Sequence, residues 1–151
     1  MSGLPAPDSD HPAKRAAWRS ADAVLRGDKQ AWLDAFAEDA VVEDPVGKSI
    51  LDPEGRGHRG KAEIADFWDR NIAPGRPIFQ LQHAIAAGDE CANVGTLMTQ
   101  FENGAVSKLF GVFVYRVDEA GKIVSLRTYW EFGDMEMVPP WTDRPTAASG
   151  S

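Results

Sequence analysis

The sequence predicts an α+β domain in which three helices pack on one face of a curved, mainly antiparallel sheet. Over the first half of the chain, apolar residues recur every three or four positions, as they do in amphipathic helices. From residue 78 onward the period changes to two, and each alternating stretch ends in a short turn, which is typical of antiparallel strands in a meander. Helices followed by strands indicate two layers around one core.

The chain of 151 residues has the length of one domain. Residues 1–10 are rich in Pro, Ser, Gly and Asp, so we expect a disordered N-terminal segment. We expect residues 11–138 to form the domain and residues 139–151 to form a loose tail. Trp141 is expected to hold the start of that tail.

Three helices are predicted from the apolar spacing. Residues 11–26 form the first, and Gly27 ends it in a C-cap position. Asp28 then caps a second helix over residues 29–37, which turns Trp32 and Phe36 inward. Residues 61–72 form the third, and an Ala-Pro-Gly segment ends it.

Strands are predicted over residues 41–43, 78–87, 92–102, 107–117 and 122–132. A glycine-rich stretch over residues 48–60 separates the first strand from the third helix and is interpreted as a loop, whose His58 and Arg59 either lie at a cavity rim or are solvated. The strand over residues 107–117 is apolar on both faces. Because the helices cover only one face, we expect a second copy of the chain to cover the outer face as a homodimer.

Composition excludes several classes of function. A formal charge of −7, a pI near 4.9 and the lack of a basic stripe argue against nucleic-acid binding. No apolar window is long enough for a membrane span. The start of the chain lacks the apolar region of a signal peptide, and the single Cys91 excludes an internal disulfide, so we expect a cytoplasmic protein. The histidines His11, His58 and His83 fall on different elements, so we expect no metal and no cofactor.

The stretch FAEDAVVEDPVG, residues 36–47, holds the candidate catalytic group. Pro45 keeps Asp44 in extended backbone at the end of a strand, beside apolar neighbours. A carboxylate fixed there is a candidate general base, since apolar surroundings raise its pKa. The alternative is that Asp44 only begins an Asp-Pro turn.

An apolar pocket is expected where the sheet curves around the helices. Its aromatic lining is either a ligand wall or plain core, and its polar groups are few. The aromatic candidates are Trp18, Phe36, Phe67, Trp68, Phe113, Tyr115 and Trp130. The polar candidates are Asp44, Tyr115, His83, Thr128 and the indole N–H of Trp130.

Four segments together resemble a known family. They are WRSADAVLRGDKQAW, AFAEDAVVEDPVG, GKAEIADFW and YRVDEAGKIVSLRTYW, and the resemblance covers roughly residues 14–135. The chain resembles the ketosteroid isomerase, or SnoaL-like, branch of the nuclear-transport-factor-2-like (NTF2-like) superfamily, and most closely a mycobacterial-type subgroup. This implies a conical α+β fold, a dimer, and a deep pocket for a small apolar, steroid-like ligand.

The resemblance places the family's general base on Asp44 and retains a pocket tryptophan as Trp130. The family's two oxyanion donors, a Tyr and a protonated Asp, fall on Ser20 and Phe113. The Tyr that supports them falls on Trp68. Each such donor lowers the reaction barrier by about 3–4 kcal/mol, so loss of both donors without replacement would slow the reaction by several orders of magnitude. Tyr115, two residues beyond Phe113 on the same strand face, is the expected substitute donor, and Ser20 is a shorter and weaker one.

Three functions remain open from the sequence. The first is an isomerase that moves a proton on a steroid-like ketone with Asp44 as base. The second is a protein that binds a steroid or another hydrophobic small molecule without turnover. The third is another proton transfer on the same scaffold, of the cyclase or dehydratase type, which needs a His beside the Asp and hence an inward-facing His83.

Overall fold

The computed structural model describes residue 4 and residues 6–139 and contains the predicted helices and sheet. Apart from residue 139, the predicted tail, including Trp141, lies outside the described residues. Helix α1 spans Pro12–Arg26, α2 spans Lys29–Asp34, and α3 spans Gly60–Phe67 and continues into a π-helical turn, Trp68–Ile72. Among the described residues, no helix combines the length and the apolar character that crossing a bilayer requires.

Local capping sets the ends of the first two helices. The His11 side chain accepts a hydrogen bond from the backbone N–H of Ala13, and Gly27 ends α1 with a φ of 69°, a left-handed conformation that favours glycine. The Asp28 side chain accepts from the N–H of Ala31 and begins α2. The predicted N-terminal limits of both helices are confirmed.

The second helix is shorter than predicted, and Phe36 belongs to a strand. Helix α2 ends at Asp34, and β1 begins at Phe36, which pairs in parallel with Ile123. The backbone N–H of Ile123 also bonds the carbonyl of Ala35. Pairing with a neighbouring strand satisfies backbone groups that a six-residue helix leaves free, so the sheet outweighs the helical spacing. Phe36 still packs edge-on against Trp32, with 4.8 Å between ring centroids.

Seven strands form one sheet. They are numbered β1 to β7 in chain order and span Phe36–Glu43, His58–Arg59, Gly75–Ala87, Glu90–Phe101, Val106–Val117, Ile123–Tyr129 and Glu136–Val138. The sheet is mainly antiparallel and has the order β2-β1-β6-β5-β4-β3, with the short β7 paired to β5. Only the β1–β6 pairing is parallel among those of the described residues. The predicted meander is confirmed by the antiparallel pairings β3–β4, β4–β5 and β5–β6.

The core lies between the helices and the inner sheet face. Along β5 the residues alternate as predicted: Phe113 and Tyr115 are buried under the helices, while Phe110 points outward and is 58% exposed. The outer face therefore carries exposed apolar side chains, namely Ile78, Ile85, Phe110 and Tyr129.

Candidate functional site

Asp44 follows the end of β1 and is tied to the end of β6. The backbone N–H of Val46 donates to the carbonyl of Thr128, which holds the Asp44–Pro45 turn against the neighbouring strand. Asp44 Oδ1 accepts hydrogen bonds from the Thr128 hydroxyl and from Trp130 Nε1, the latter at 2.8 Å. These bonds fix the carboxyl, while its second oxygen, Oδ2, has no hydrogen-bond partner among the described residues.

The environment raises the pKa of Asp44 above its ordinary value. Desolvation is the main cause, because the surrounding protein removes water that would stabilise the charged carboxylate. The hydrogen bonds from Thr128 and Trp130 and the charge of His58 lower the pKa and oppose this effect. The result is a carboxyl group with one anchored oxygen, one free oxygen and a proton affinity above that of a solvated aspartate.

A cavity of about 100 Å³ opens beside Asp44, between the helices and the inner sheet face. Pockets for drug-sized ligands typically measure about 300–1,000 Å³. A steroid-sized ligand therefore requires lining side chains to move apart. The cavity is lined mainly by apolar side chains with four polar ones among them, and it comprises Ser20, Ala21, Val24, Leu25, Trp32, Asp44, Phe67, Ile72, Phe79, Leu97, Phe113, Tyr115, Leu126 and Thr128.

Tyr115 lines the same cavity and is almost fully buried. Burial raises the pKa of its phenol well above the usual range; the neighbouring Ser20 hydroxyl opposes this, and the charge of Asp44 adds to it. The phenol therefore stays protonated and can donate a hydrogen bond. Ser20 is itself held by the indole N–H of Trp32, which donates to its Oγ at 3.1 Å.

The structure thus brings six predicted residues together around one cavity and places a seventh beside it. The six that line the cavity are Asp44, Ser20, Tyr115, Phe67, Phe113 and Thr128. The seventh, Trp130, lies outside the lining but contacts Asp44 through its indole N–H.

Two other predicted lining residues pack in the core instead. Phe36 and Trp68 contact Trp32, with ring centroids 4.8 and 5.3 Å from that of Trp32. Trp32 itself lines the cavity, whereas Phe36 and Trp68 do not. Their apolar spacing predicted burial correctly, but it did not distinguish the core from a ligand wall.

The prediction for Trp18 is wrong because of its angle on α1. The helix turns Ser20 toward the cavity, and Trp18 lies two residues earlier, roughly 200° away around the axis. Its indole N–H donates to the carbonyl of Leu4 at 2.8 Å, so it contacts Leu4 near the N-terminus and not the cavity.

The prediction for His83 is wrong because of an irregularity in β3. The register shifts between Leu81 and His83, so that His83 pairs with Val94. Such a bulge exchanges the faces that following residues occupy. His83 is consequently exposed on the outer face and takes no part in the site.

Eight cavity residues were not among the predicted site residues, namely Ala21, Val24, Leu25, Trp32, Ile72, Phe79, Leu97 and Leu126. Trp32 was predicted to face inward, but as core. Phe79 and Leu97 are paired across β3 and β4, and Phe79 also packs edge-on against Phe113 at 5.2 Å. Both could have been predicted by taking Phe113 as a residue of the inner sheet face and identifying the residues of β3 and β4 that share that face.

Comparison with known proteins identifies the family. The family model for the SnoaL-like domain matches residues 17–126. The chain belongs to the SnoaL-like family. Within it, the ketosteroid isomerase-like branch is indicated by the crystal structure of Δ5-3-ketosteroid isomerase from Mycobacterium sp., which is 41% identical with a TM-score of 0.81 and matches 85% of this chain and 99% of that one. The predicted NTF2-like cone is thereby confirmed.

Two further relatives of this SnoaL-like protein are informative. The steroid Δ-isomerase of Nocardioides simplex is 29% identical over 126 residues, which is 83% of this chain and 95% of that protein. The Mycobacterium tuberculosis protein RV0760c, solved in complex with estradiol-17beta-hemisuccinate, is 36% identical with a TM-score of 0.80, covering 84% of this chain and 99% of that one.

Proposed function

We propose that this SnoaL-like protein binds a steroid-like ketone and moves a proton on it, with Asp44 as general base. The observation that carries the proposal is the Asp44 carboxyl, which is anchored through Oδ1 and leaves Oδ2 free beside an apolar cavity. Its raised pKa brings its basicity closer to neutral pH, where a general base is most effective. The steroid isomerases and the steroid complex among its relatives support this class of ligand.

The proposed reaction isomerises a β,γ-unsaturated ketone to its conjugated form. Asp44 Oδ2 takes a proton from the carbon between the carbonyl and the double bond. The C–H electrons form a new double bond, and the carbonyl oxygen becomes the oxyanion of a dienolate. Asp44 then returns the proton to the γ carbon, and the carbonyl forms again. Atoms and charges balance without a cofactor.

We propose Tyr115 as the donor that stabilises the dienolate oxygen. It lines the cavity with Asp44, and its phenol stays protonated because burial raises its pKa. A donor aimed at the developing oxyanion lowers the barrier most when water is excluded. The Ser20 hydroxyl neighbours the phenol and is itself held by the Trp32 indole N–H.

The Tyr115→Phe variant tests this assignment. We expect kcat for a Δ5-3-ketosteroid to fall about 10²- to 10³-fold, because a single oxyanion donor is lost, while binding of an apolar steroid hydrocarbon is unchanged. Tyr129→Phe is the matched control, since Tyr129 lies on the outer face. Equal kcat values for Tyr115→Phe and wild type would remove Tyr115 from the mechanism.

A second candidate function is ligand binding without turnover. Phe113 stands where the resemblance places a second oxyanion donor, and its ring packs edge-on against Phe79 instead of donating. A cavity with a single strong donor binds an apolar ligand but isomerises it slowly. Titration of the protein with a steroid ketone, followed by tryptophan fluorescence, distinguishes the two functions: Trp32 lines the cavity, so saturation without product formation would favour binding alone.

We also propose that the protein forms a homodimer through the outer sheet face. Phe110 is 58% exposed and Ile85 62% exposed, and both lie on strands whose inner faces are already covered by helices. Large apolar side chains grouped on one face are typical of a protein–protein interface.

We also propose that the protein is cytoplasmic. The free, buried thiol of Cys91 supports this location.

A further inference from the structure

Ser20 carries a buried hydroxyl whose proton the rest of the described chain does not use. It lies on α1, is 2% exposed and lines the cavity. A serine inside a helix often donates to the carbonyl four residues earlier, which here belongs to Ala16. Ser20 makes no such bond, and its Oγ donates to no acceptor among residue 4 and residues 6–139. Its proton is therefore available to a group inside the cavity.

The indole of Trp32 fixes the direction in which the Ser20 hydroxyl can donate. Trp32 Nε1–H donates to Ser20 Oγ at 3.1 Å, and Trp32 is 2% exposed. An indole N–H can only donate, so Ser20 must be the acceptor in this bond. The bond occupies one lone pair of Oγ, and the O–H bond consequently points away from the indole.

The aromatic core holds Trp32 in place. Its ring packs edge-on against Phe36, is tilted against Trp68 at 5.3 Å and is stacked with Phe67 at 6.5 Å between centroids. A side chain packed on three sides presents its N–H in one direction. The hydrogen bond to Ser20 is therefore formed before any ligand enters, which is the condition for a preorganised donor.

Tyr115 supplies a second hydroxyl to the same part of the cavity. Its phenol neighbours the Ser20 hydroxyl, but no hydrogen bond of ordinary length and angle joins the two groups. Each hydroxyl therefore keeps a proton that can be donated to a ligand. A ketone oxygen has two lone pairs, so it can accept from both hydroxyls at once.

We propose that Ser20 is a second catalytic donor to the ketone oxygen and that Trp32 is the positioning residue that orients its hydroxyl. This inference rests on the proposed function, because it concerns the same cavity and the same ketone. Ser20 and Tyr115 together stabilise the negative charge that develops on the dienolate oxygen. The Trp32 indole takes no part in the contact with the ligand oxygen and acts only through Ser20.

Infrared spectroscopy of a bound ketone tests the proposal without turnover. The probe is a Δ4-3-ketosteroid with a ¹³C-labelled carbonyl, the product type of the proposed reaction. Each hydrogen bond that the carbonyl accepts weakens its double bond and lowers its stretching frequency. We expect this frequency to rise in Ser20→Ala and, by a smaller amount, in Trp32→Phe. Ser107→Ala is the matched control and should leave the frequency unchanged, since Ser107 is buried but does not line the cavity.

Two double variants separate direct donation from indirect effects. If Trp32 acts through Ser20, adding Trp32→Phe to Ser20→Ala changes the frequency no further, whereas a purely structural role would keep its separate effect. If Ser20 donates to the ketone itself, Ser20→Ala also raises the frequency in the Tyr115→Phe background. A frequency that Ser20→Ala leaves unchanged, or changes only when Tyr115 is present, would overturn the proposal.

Steady-state kinetics adds a second readout for Ser20→Ala, which should fold because alanine is the best helix former. We expect kcat for a Δ5-3-ketosteroid to fall about 10-fold, the usual effect of losing one neutral hydrogen bond, with KM within a few-fold of wild type. A bound ketone with an unshifted carbonyl would remove Ser20 and leave Asp44 as the base. A protein that binds no steroid ketone would overturn the proposed function as well, so the two failures are distinguishable.

Discussion

Asp44→Asn is expected to lower kcat for the isomerisation of a Δ5-3-ketosteroid by about 10²- to 10⁴-fold, the usual contribution of a positioned general base. The amide keeps an oxygen that can accept from Thr128 and Trp130, so the turn and the cavity should persist. The amide nitrogen cannot take a proton from carbon. We therefore expect ligand affinity to stay within a few-fold of wild type while turnover is lost.

Glu43→Gln is the matched control, because Glu43 is the neighbouring carboxylate and pairs with Arg127 away from the cavity. We expect its kcat to remain near that of wild type. Steady-state kinetics with all three proteins, together with a fluorescence titration, separates loss of chemistry from loss of binding. Equal turnover by wild type and Asp44→Asn would remove Asp44 as the base.

The pH dependence of wild-type kcat/KM follows from the raised pKa of Asp44. Only the ionised carboxylate can accept a proton, so activity should rise with pH as Asp44 loses its own proton. Since desolvation raises that pKa, the acid limb should lie at higher pH than an ordinary aspartate gives. An acid limb at or below the ordinary aspartate value would contradict the desolvated site.

Phe110→Asp is expected to weaken the proposed dimer by at least about 100-fold, because each copy would bury an unpaired carboxylate in the interface. Phe110 lies on β5, an inner strand of the sheet order, and pairs with Thr96 of β4. In the monomer the new carboxylate is solvated, since the position is 58% exposed. We therefore expect a folded monomer.

Sedimentation velocity at micromolar concentration measures this effect, with circular dichroism to confirm folding. Ile50→Asp is the matched control: Ile50 is an apolar residue that is 84% exposed, but it lies on the loop before β2. We expect wild type and Ile50→Asp to sediment as dimers. A wild-type protein that sediments as a monomer, or a dimeric Phe110→Asp, would contradict the proposed interface.

The general fold was predictable because each element carries a local signal that agrees with the others. Gly27 and Asp28 mark a helix boundary through their backbone and capping preferences, and the structure uses both. The alternation around Phe113 predicted which face of β5 is buried, and the structure confirms it. Consistent local preferences of this kind are what allow a sequence to specify one fold.

The sequence-based predictions that were wrong concern residues whose positions depend on contacts between segments distant in the chain. Phe36 was predicted as helix because its spacing from Trp32 fits a helical face, and only pairing with β6 makes it a strand residue. His83 was predicted to line the pocket, but the bulge in β3 places it on the outer face of the sheet. His58 looked like a residue of a glycine-rich loop, since its pairing with Val42 leaves no periodic signal in two residues of strand.

The candidate site was only partly predictable for the same reason. Asp44, Tyr115 and Ser20 were named from the turn, the strand alternation and the resemblance, and they line one cavity. Trp18, Phe36 and Trp68 share the aromatic character of a ligand wall, but composition does not fix which aromatic residue faces a cavity. That choice depends on the rotation of α1 and on the packing around Trp32.

A crystal structure of the protein with a bound steroid ketone tests the central claim most directly, since that claim concerns where Asp44 Oδ2 points. We expect the cavity to widen around the ligand, with Oδ2 about 3–3.5 Å from the carbon next to the carbonyl, the separation of a reacting pair. We also expect the carbonyl oxygen to lie within hydrogen-bonding distance of Tyr115. A ligand bound elsewhere, or one whose reacting carbon lies away from Asp44, would contradict the claim.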